Sequence, residues 1–203
     1  MMSSKSTERQ KPKSGPLSRI SQFFYSRSNL VTALLATIVF AGYLVFVLTV
    51  QGMAFAVANS TVKSLGTSLG FGPAEILVFL AERSDQMISA YINFNQLWDT
   101  LFGLIYGVMY VAWVSVLFKP YSQKVGFLNL LPFGQVIFDW LENFALAALS
   151  NQYLADGTIS SSTAQLASIF STTKWVFSLL VYLVILVGIV MRIVRAVKRR
   201  SQR

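Results

Sequence analysis

Three carboxylates, Asp99, Asp139 and Glu142, stand with Asn143 and Lys174 in or beside long apolar stretches of this chain. An ionisable group near the bilayer centre costs about 2.5–3.5 kcal/mol, so such groups turn into the protein interior and mark functional positions. Asp139, Glu142 and Asn143 are spaced i, i+3, i+4 and share one face of a helix, with Gln135 one turn below. Asp99, Gly103, Tyr106, Gly107 and Tyr110 form a second stripe, whose Gly103-x-x-x-Gly107 pair would let a neighbouring helix approach closely. Three carboxylates against one lysine do not balance. Either some carboxyls carry protons or a cation enters.

Three kinds of chemistry suit this set. The first is a buried network that sets helix register, with Lys174 paired to Glu142 or Asp139 and Asn143 bridging. The second is a pocket for a lipid or small molecule, with Asp139 or Glu142 as acid/base group and Lys174 against an anionic headgroup. The third is an ion or proton path. It is weakened by the almost entirely apolar inner halves of the first and last spans.

The elements that must position these residues follow from hydropathy. Of 203 residues, 54% are hydrophobic and 12% charged, about half the charge of an ordinary soluble domain. Apolar length predicts an all-α membrane domain over residues 30–192, with four spans at about 30–58, 97–118, 127–150 and 169–191. Residues 1–29 read as a disordered basic arm, with Ile20, Phe23, Phe24 and Tyr25 placed to lie in the membrane interface. Residues 193–203 read as a basic tail. Residues 59–72 and 151–168 read as loops. Pro73 and Glu75 predict a short interfacial helix over the pocket mouth. A rise of 1.5 Å per residue puts Asp99 at one boundary, with Tyr106, Glu142 and Asn143 about 10 Å in and Asp139 about 5 Å deeper than Glu142. Lys174 comes about one turn inside the last span. All lie in the same half of the bilayer.

Charge sets the orientation. Six basic residues precede the first apolar run, two lie in the turn at 119–124 and six follow the last run, against Lys63, Arg83 and Lys174 elsewhere. The positive-inside rule therefore predicts an even number of spans with both termini cytoplasmic. Because both basic clusters flank hydrophobic segments, their expected partners are anionic headgroups on the cytoplasmic face, and not nucleic acid. Ala54-Phe55-Ala56 and Ala56-Val57-Ala58 match a signal-cleavage pattern, but the apolar run outlasts the 7–15 residues of a signal peptide, so it is read as a span. The acidic-poor, Ser-rich arm also fits a transit peptide. A bacterial plasma membrane is thus the first location and an organelle inner membrane the second.

Without Cys or His, thiol nucleophiles, disulfides and zinc or haem ligation through those residues are excluded. No phosphate loop, nucleophile elbow or metal-ligand spacing occurs, so neither cofactor nor metal is expected. Trp98, Trp113, Trp140 and Trp175 read as interface or core packing.

Gly72-Pro73-Ala74-Glu75, then Tyr91, Asp99 and Tyr106, then Phe138-Asp139-Trp140-Leu141-Glu142-Asn143, and finally Phe170-Ser171-Thr172-Thr173-Lys174-Trp175 carry a resemblance over residues 70–190. The chain resembles a widespread, mostly bacterial family of small four-helix membrane proteins of uncharacterised function. That resemblance implies the four-helix topology and the importance of the polar cluster, and brings no activity. The leading functional expectation is a non-enzymatic accessory or assembly component of a membrane complex. The alternatives are a lipid-like substrate binder or membrane enzyme, and then an ion- or proton-coupled carrier.

Overall fold

A computed structural model describes residues 15–62 and 64–202; Lys5, Arg9, Lys11, Lys13, Lys63 and Arg203, with the rest of the arm before residue 15, lie outside them. Among the described residues every regular element is helical. Three stretches, Leu30–Phe55, Asp85–Asp156 and Ser161–Ser201, are long and apolar enough to cross a membrane.

The boundaries follow local capping chemistry. Helix α1 covers Pro16–Arg27, and α2 covers Leu30–Tyr43. Asn29 starts α2 by accepting from Thr32 N at 2.9 Å while Thr32 Oγ1 accepts from Asn29 N at 2.9 Å, a reciprocal cap that satisfies two otherwise orphaned donors. The chain then passes through a wide i→i+5 turn at Leu44–Leu48 and ends at Phe55, three residues short of the expected limit. Helix α3, Pro73–Ala81, opens on its proline with Glu75 closing the first turn onto Gly72 N. Helix α4, Asp85–Asn93, runs through a second wide turn, Phe94–Asp99, into α5, Thr100–Phe118. Tight turns over residues 119–130 reverse the chain into α6, Leu131–Asp156, so the third expected span begins about four residues later and ends six later.

The largest departure from the sequence reading is at residues 151–168. Instead of a loop, α6 continues to Asp156, Gly157 stops it at φ 73°, and α7 starts at Ser161 and runs to Ser201. A left-handed residue costs glycine nothing, and its N–H returns to Tyr153 O at 2.9 Å. Ser160 then caps α7, its Oγ accepting from Thr163 N at 3.3 Å. Ser/Thr-rich composition concealed the helix because its buried positions there are small: Ala164 and Ala167. They begin a seam, Ala164, Ala167, Ser171, Lys174, Ser178 and Val181, that steps alternately by three and four residues along α7. On the facing side of α6, Gly134 lies against Phe177, Phe138 meets Phe170 and Phe177, and Asp139 and Glu142 meet Lys174. Such spacing makes an antiparallel helix pair, and small residues matter because lipid supplies no hydrophobic drive for helices to associate.

Helix α5 packs antiparallel on α6 at its two glycines. A Cβ at Gly103 would stand 2.9 Å from Asp139 Oδ2 and from Trp140 Nε1, and one at Gly107 would meet the Val136 side chain. Helix α2 adheres to α5 by one stripe, with Phe40 and Tyr43 stacked on Phe102 and Trp113 Nε1 donating to Thr37 Oγ1 at 2.9 Å. Only 6% of its apolar window is buried, so its remaining faces are left for lipid.

At one end of the bundle lie α1, the 119–130 turn and the far part of α7. Ser21 Oγ donates to Asn129 Oδ1 at 2.7 Å, Asn129 Nδ2 donates to Ser115 Oγ at 3.0 Å, and Lys119 reaches Ser28 O at 3.1 Å. Arg192 donates to Leu117 O at 3.1 Å. Residues 15–27, read as part of a disordered arm, are therefore a docked helix: Tyr25 is buried, while Ile20 and Phe23 face outward.

The other end is closed by the 56–72 loop and α3. Leu65, Phe71, Ile76, Phe79 and Leu80 pack with Leu146, Leu149, Ala164 and Ala167. Arg83 is buried under the loop and donates to Phe55 O at 2.9 Å. Glu82 accepts from Ser60 Oγ, and from Thr61 Oγ1 at 2.9 Å, and these hydroxyl donors hold its carboxyl below the ordinary 4.5. A depressed folded-state pKa gives stabilisation that is present above the ordinary value and lost as pH falls through the folded one. Amides 60–62 should therefore exchange faster relative to Glu82→Gln as the medium is acidified below about 4.5, converging on the variant. An unchanged ratio between pH 7 and pH 3 would show that Glu82 does not pin the loop.

Candidate functional site

The polar residues meet in the layer where the α6–α7 seam is charged. Lys174 Nζ lies 3.2 Å from Asp139 Oδ1, pairs with Glu142 Oε2, and donates to Gly66 O at 2.8 Å. An ammonium has three N–H donors. Only the contact to Gly66 O has hydrogen-bond geometry; the two carboxylates are ion-pair partners. Two of these partners lie on α6, one turn apart; the third is a backbone carbonyl of the 56–72 loop, which the local sequence gives no means of anticipating.

The carboxylates are not equivalent. Glu142 is fully buried, and neither of its carboxylate oxygens has a hydrogen-bond partner, Oε2 being held only by its ion pair with Lys174. Asp139 is 4% exposed with Oδ2 unpartnered. Asp99, half-buried at the end of the Phe94–Asp99 turn, makes no ion pair among the described residues. Asn143 is fully buried beside Glu142 with both amide atoms unpartnered, so the expected bridge through it does not form. The Tyr106 hydroxyl, 5% exposed, and Gln135 Oε1, 6% exposed, are likewise unpartnered. Buried polar atoms are paired in the great majority of cases, and each exception calls for an explanation.

Asp99, Tyr106, Asp139 and Lys174 line one cavity of about 290 Å³, while Glu142 and Asn143 lie in the α6 layer behind it. Gly103 and Gly107 lie outside the lining and set how closely α5 approaches α6. Residues the sequence reading did not single out complete the cavity. Ser178 and Tyr182 come from α7. Ser64, Gly66 and Thr67 come from the loop, and Phe40 of α2 with Leu44 and Leu48 of the wide turn after it form an apolar wall.

Both wide turns face this space, through Leu44 and Leu48 on one side and Phe94 and Asp99 on the other. An i→i+5 turn inserts one residue, re-aims the side chains around it and frees carbonyls, and such turns gather at functional sites. A threonine closes each one: Thr49 Oγ1 donates to Leu44 O at 3.0 Å and Thr100 Oγ1 to Asn95 O at 2.8 Å. Tyr43 ties the two together by donating to Trp98 O at 2.9 Å. A hydroxyl inside an apolar helix that bonds back along its own backbone is the one local signal that could have revealed these turns.

Helix α2 packs along α5, α7 packs along α6 and α5, and the cavity occupies the space over α5 between α2 and α7. The site thus joins acidic side chains to an apolar wall. Compared with protein-family models, curated proteins and solved structures, the chain matches none.

Proposed function

We propose that this is a membrane-embedded binding protein for an amphiphile, which enters the cavity from one leaflet between α2 and α7. The observation that carries the reading is the cavity itself: an apolar wall of Phe40, Leu44 and Leu48 opposite Asp99, Asp139 and Tyr106. Its volume, about 290 Å³, is near the lower end of the roughly 300–1,000 Å³ usual for ligand sites. It would take a headgroup and the first few methylenes, leaving the tail in lipid.

The reading includes four crossings, with the stretch Asp85–Asp156 folding back on itself to cross twice. Support comes from α1, the 119–130 turn and the far part of α7 meeting at one end, where Arg19, Arg27, Lys119, Lys124, Arg195, Lys198, Arg199 and Arg200 collect. That end is cytoplasmic by the positive-inside rule and suited to anionic headgroups. The cavity then faces the outer leaflet of a plasma membrane. An accessory role in a larger complex is the second reading, and the basic far part of α7, with Ile193, Val194 and Val197 exposed, is the surface that favours it.

Native mass spectrometry after gentle extraction separates the two. One defined amphiphile bound one-to-one, and lost in Leu44→Trp, is the expected result. Stoichiometric protein partners on a chain without an amphiphile would overturn the binding reading in favour of an accessory subunit.

A further inference from the structure

Resting on the amphiphile-binding reading, we propose that the headgroup taken by this cavity is a protonated primary amine. What is free and what is spent at the site decide this. Lys174 is already neutralised, since it forms ion pairs with Asp139 and Glu142 and donates to Gly66 O, which leaves it no charge to spare for an anionic group. That removes the one residue the sequence suggested as an anion contact.

What remains open is mainly carboxylate and carbonyl oxygen, with one phenol that can accept as well as donate. Asp139 Oδ2, Gln135 Oε1 and the Tyr106 hydroxyl are unpartnered on side chains more than nine-tenths buried, and all three residues line the cavity. Asp99 adds a carboxylate without an ion pair. An anionic headgroup would stand against the Asp99 and Asp139 carboxylates. A primary ammonium brings three donors and one positive charge to a cluster with more carboxylates than cations.

The rest of the lining agrees. Tyr106, Tyr110, Tyr182 and Trp175 present aromatic surface beside the acceptors, and ring faces attract an organic cation. The chain attached to that amine has its place along Leu44 and Leu48.

The test uses the full chain in phosphatidylcholine nanodiscs and a dodecylamine carrying a diazirine in its tail. Crosslinked peptides are mapped and competed with unlabelled dodecylamine, dodecanoate or ethylamine. Labelling is expected on the segments around Leu44–Leu48 or Trp175–Tyr182, suppressed by dodecylamine alone. Asp99→Asn, which breaks no ion pair of the native protein, should weaken it about tenfold, the value of one charged hydrogen bond. Leu44→Trp should abolish it.

Equal or better competition by dodecanoate would overturn the amine assignment and leave the amphiphile reading standing. Competition by ethylamine at the same concentration would overturn the amphiphile reading and leave the cation preference. Labelling that is unsaturable and unchanged in Leu44→Trp would overturn both. Asp99→Asn with full affinity would also overturn the amine assignment.

Discussion

Lys174→Met should be the most damaging single substitution outside the backbone, destabilising the protein by about 3–5 kcal/mol. The reason is what it leaves behind. Asp139 and Glu142 sit one turn apart on α6, both essentially buried, and Lys174 forms the only ion pairs they make among the described residues. Removing one member of a buried pair strands an uncompensated charge, and that penalty is about 3–5 kcal/mol, far above the worth of a surface pair. The same substitution frees Gly66 O, so the loop over the cavity loses its tie to α7.

The prediction has a built-in control. Replacing the whole set with Asp139→Asn, Glu142→Gln and Lys174→Met removes charges and partner together, and it should recover most of the loss. Unfolding in mixed micelles, followed by far-ultraviolet circular dichroism, measures both. A Lys174→Met protein within about 1 kcal/mol of the native one would mean that the cluster contributes no ion-pair stabilisation.

Gly103→Val should rank second. The first atom it adds falls 2.9 Å from Asp139 Oδ2 and 2.9 Å from Trp140 Nε1, neither of which is the loose end of a flexible chain. Trp140 is held by its hydrogen bond to Thr100 O at 2.9 Å, on α5 itself. To admit the valine, α5 must move off α6, giving up that bond and disturbing the charged layer. Overpacking of this kind costs about 1–3 kcal/mol, and here no hydrophobic effect between the helices opposes their separation.

Leu104→Val, at a lipid-facing position 47% exposed, should change stability by less than about 0.5 kcal/mol. Spin labels on α5 and α6 would show the distance between them increase in Gly103→Val and remain unchanged in Leu104→Val. Equal stabilities for the two variants would show that the glycine does not set the helix spacing.

How much of this was legible in advance depended on range. The stripe Asp139, Glu142, Asn143 was visible because i, i+3, i+4 spacing along one helix is a local property, and so was the Pro73–Glu75 helix start. The helical stretch at 161–168 was not. Its buried positions are alanines, and Ser/Thr composition reads as loop when nothing indicates that another helix lies against it. Residues 16–27 were legible only in part, through the partly helical spacing of Ile20, Phe23, Phe24 and Tyr25, because their docking rests on Ser21 and Tyr25 finding Asn129 and Val114 about a hundred residues away.

By itself the sequence determined that the chain is helical, that it has apolar runs of membrane length, and which residues are too polar to face lipid. Each of these follows from composition and short-range periodicity. Only the tertiary structure decided how the polar atoms are shared. It brought Gly66 O to Lys174, paired that lysine with Asp139 and Glu142, and left Asp99, Asp139 Oδ2, Tyr106 and Gln135 open beside an apolar wall of Phe40, Leu44 and Leu48. A hydrogen bond has a direction and a limited number of partners, so which side chains are satisfied and which remain available is settled by the meeting of segments distant along the chain.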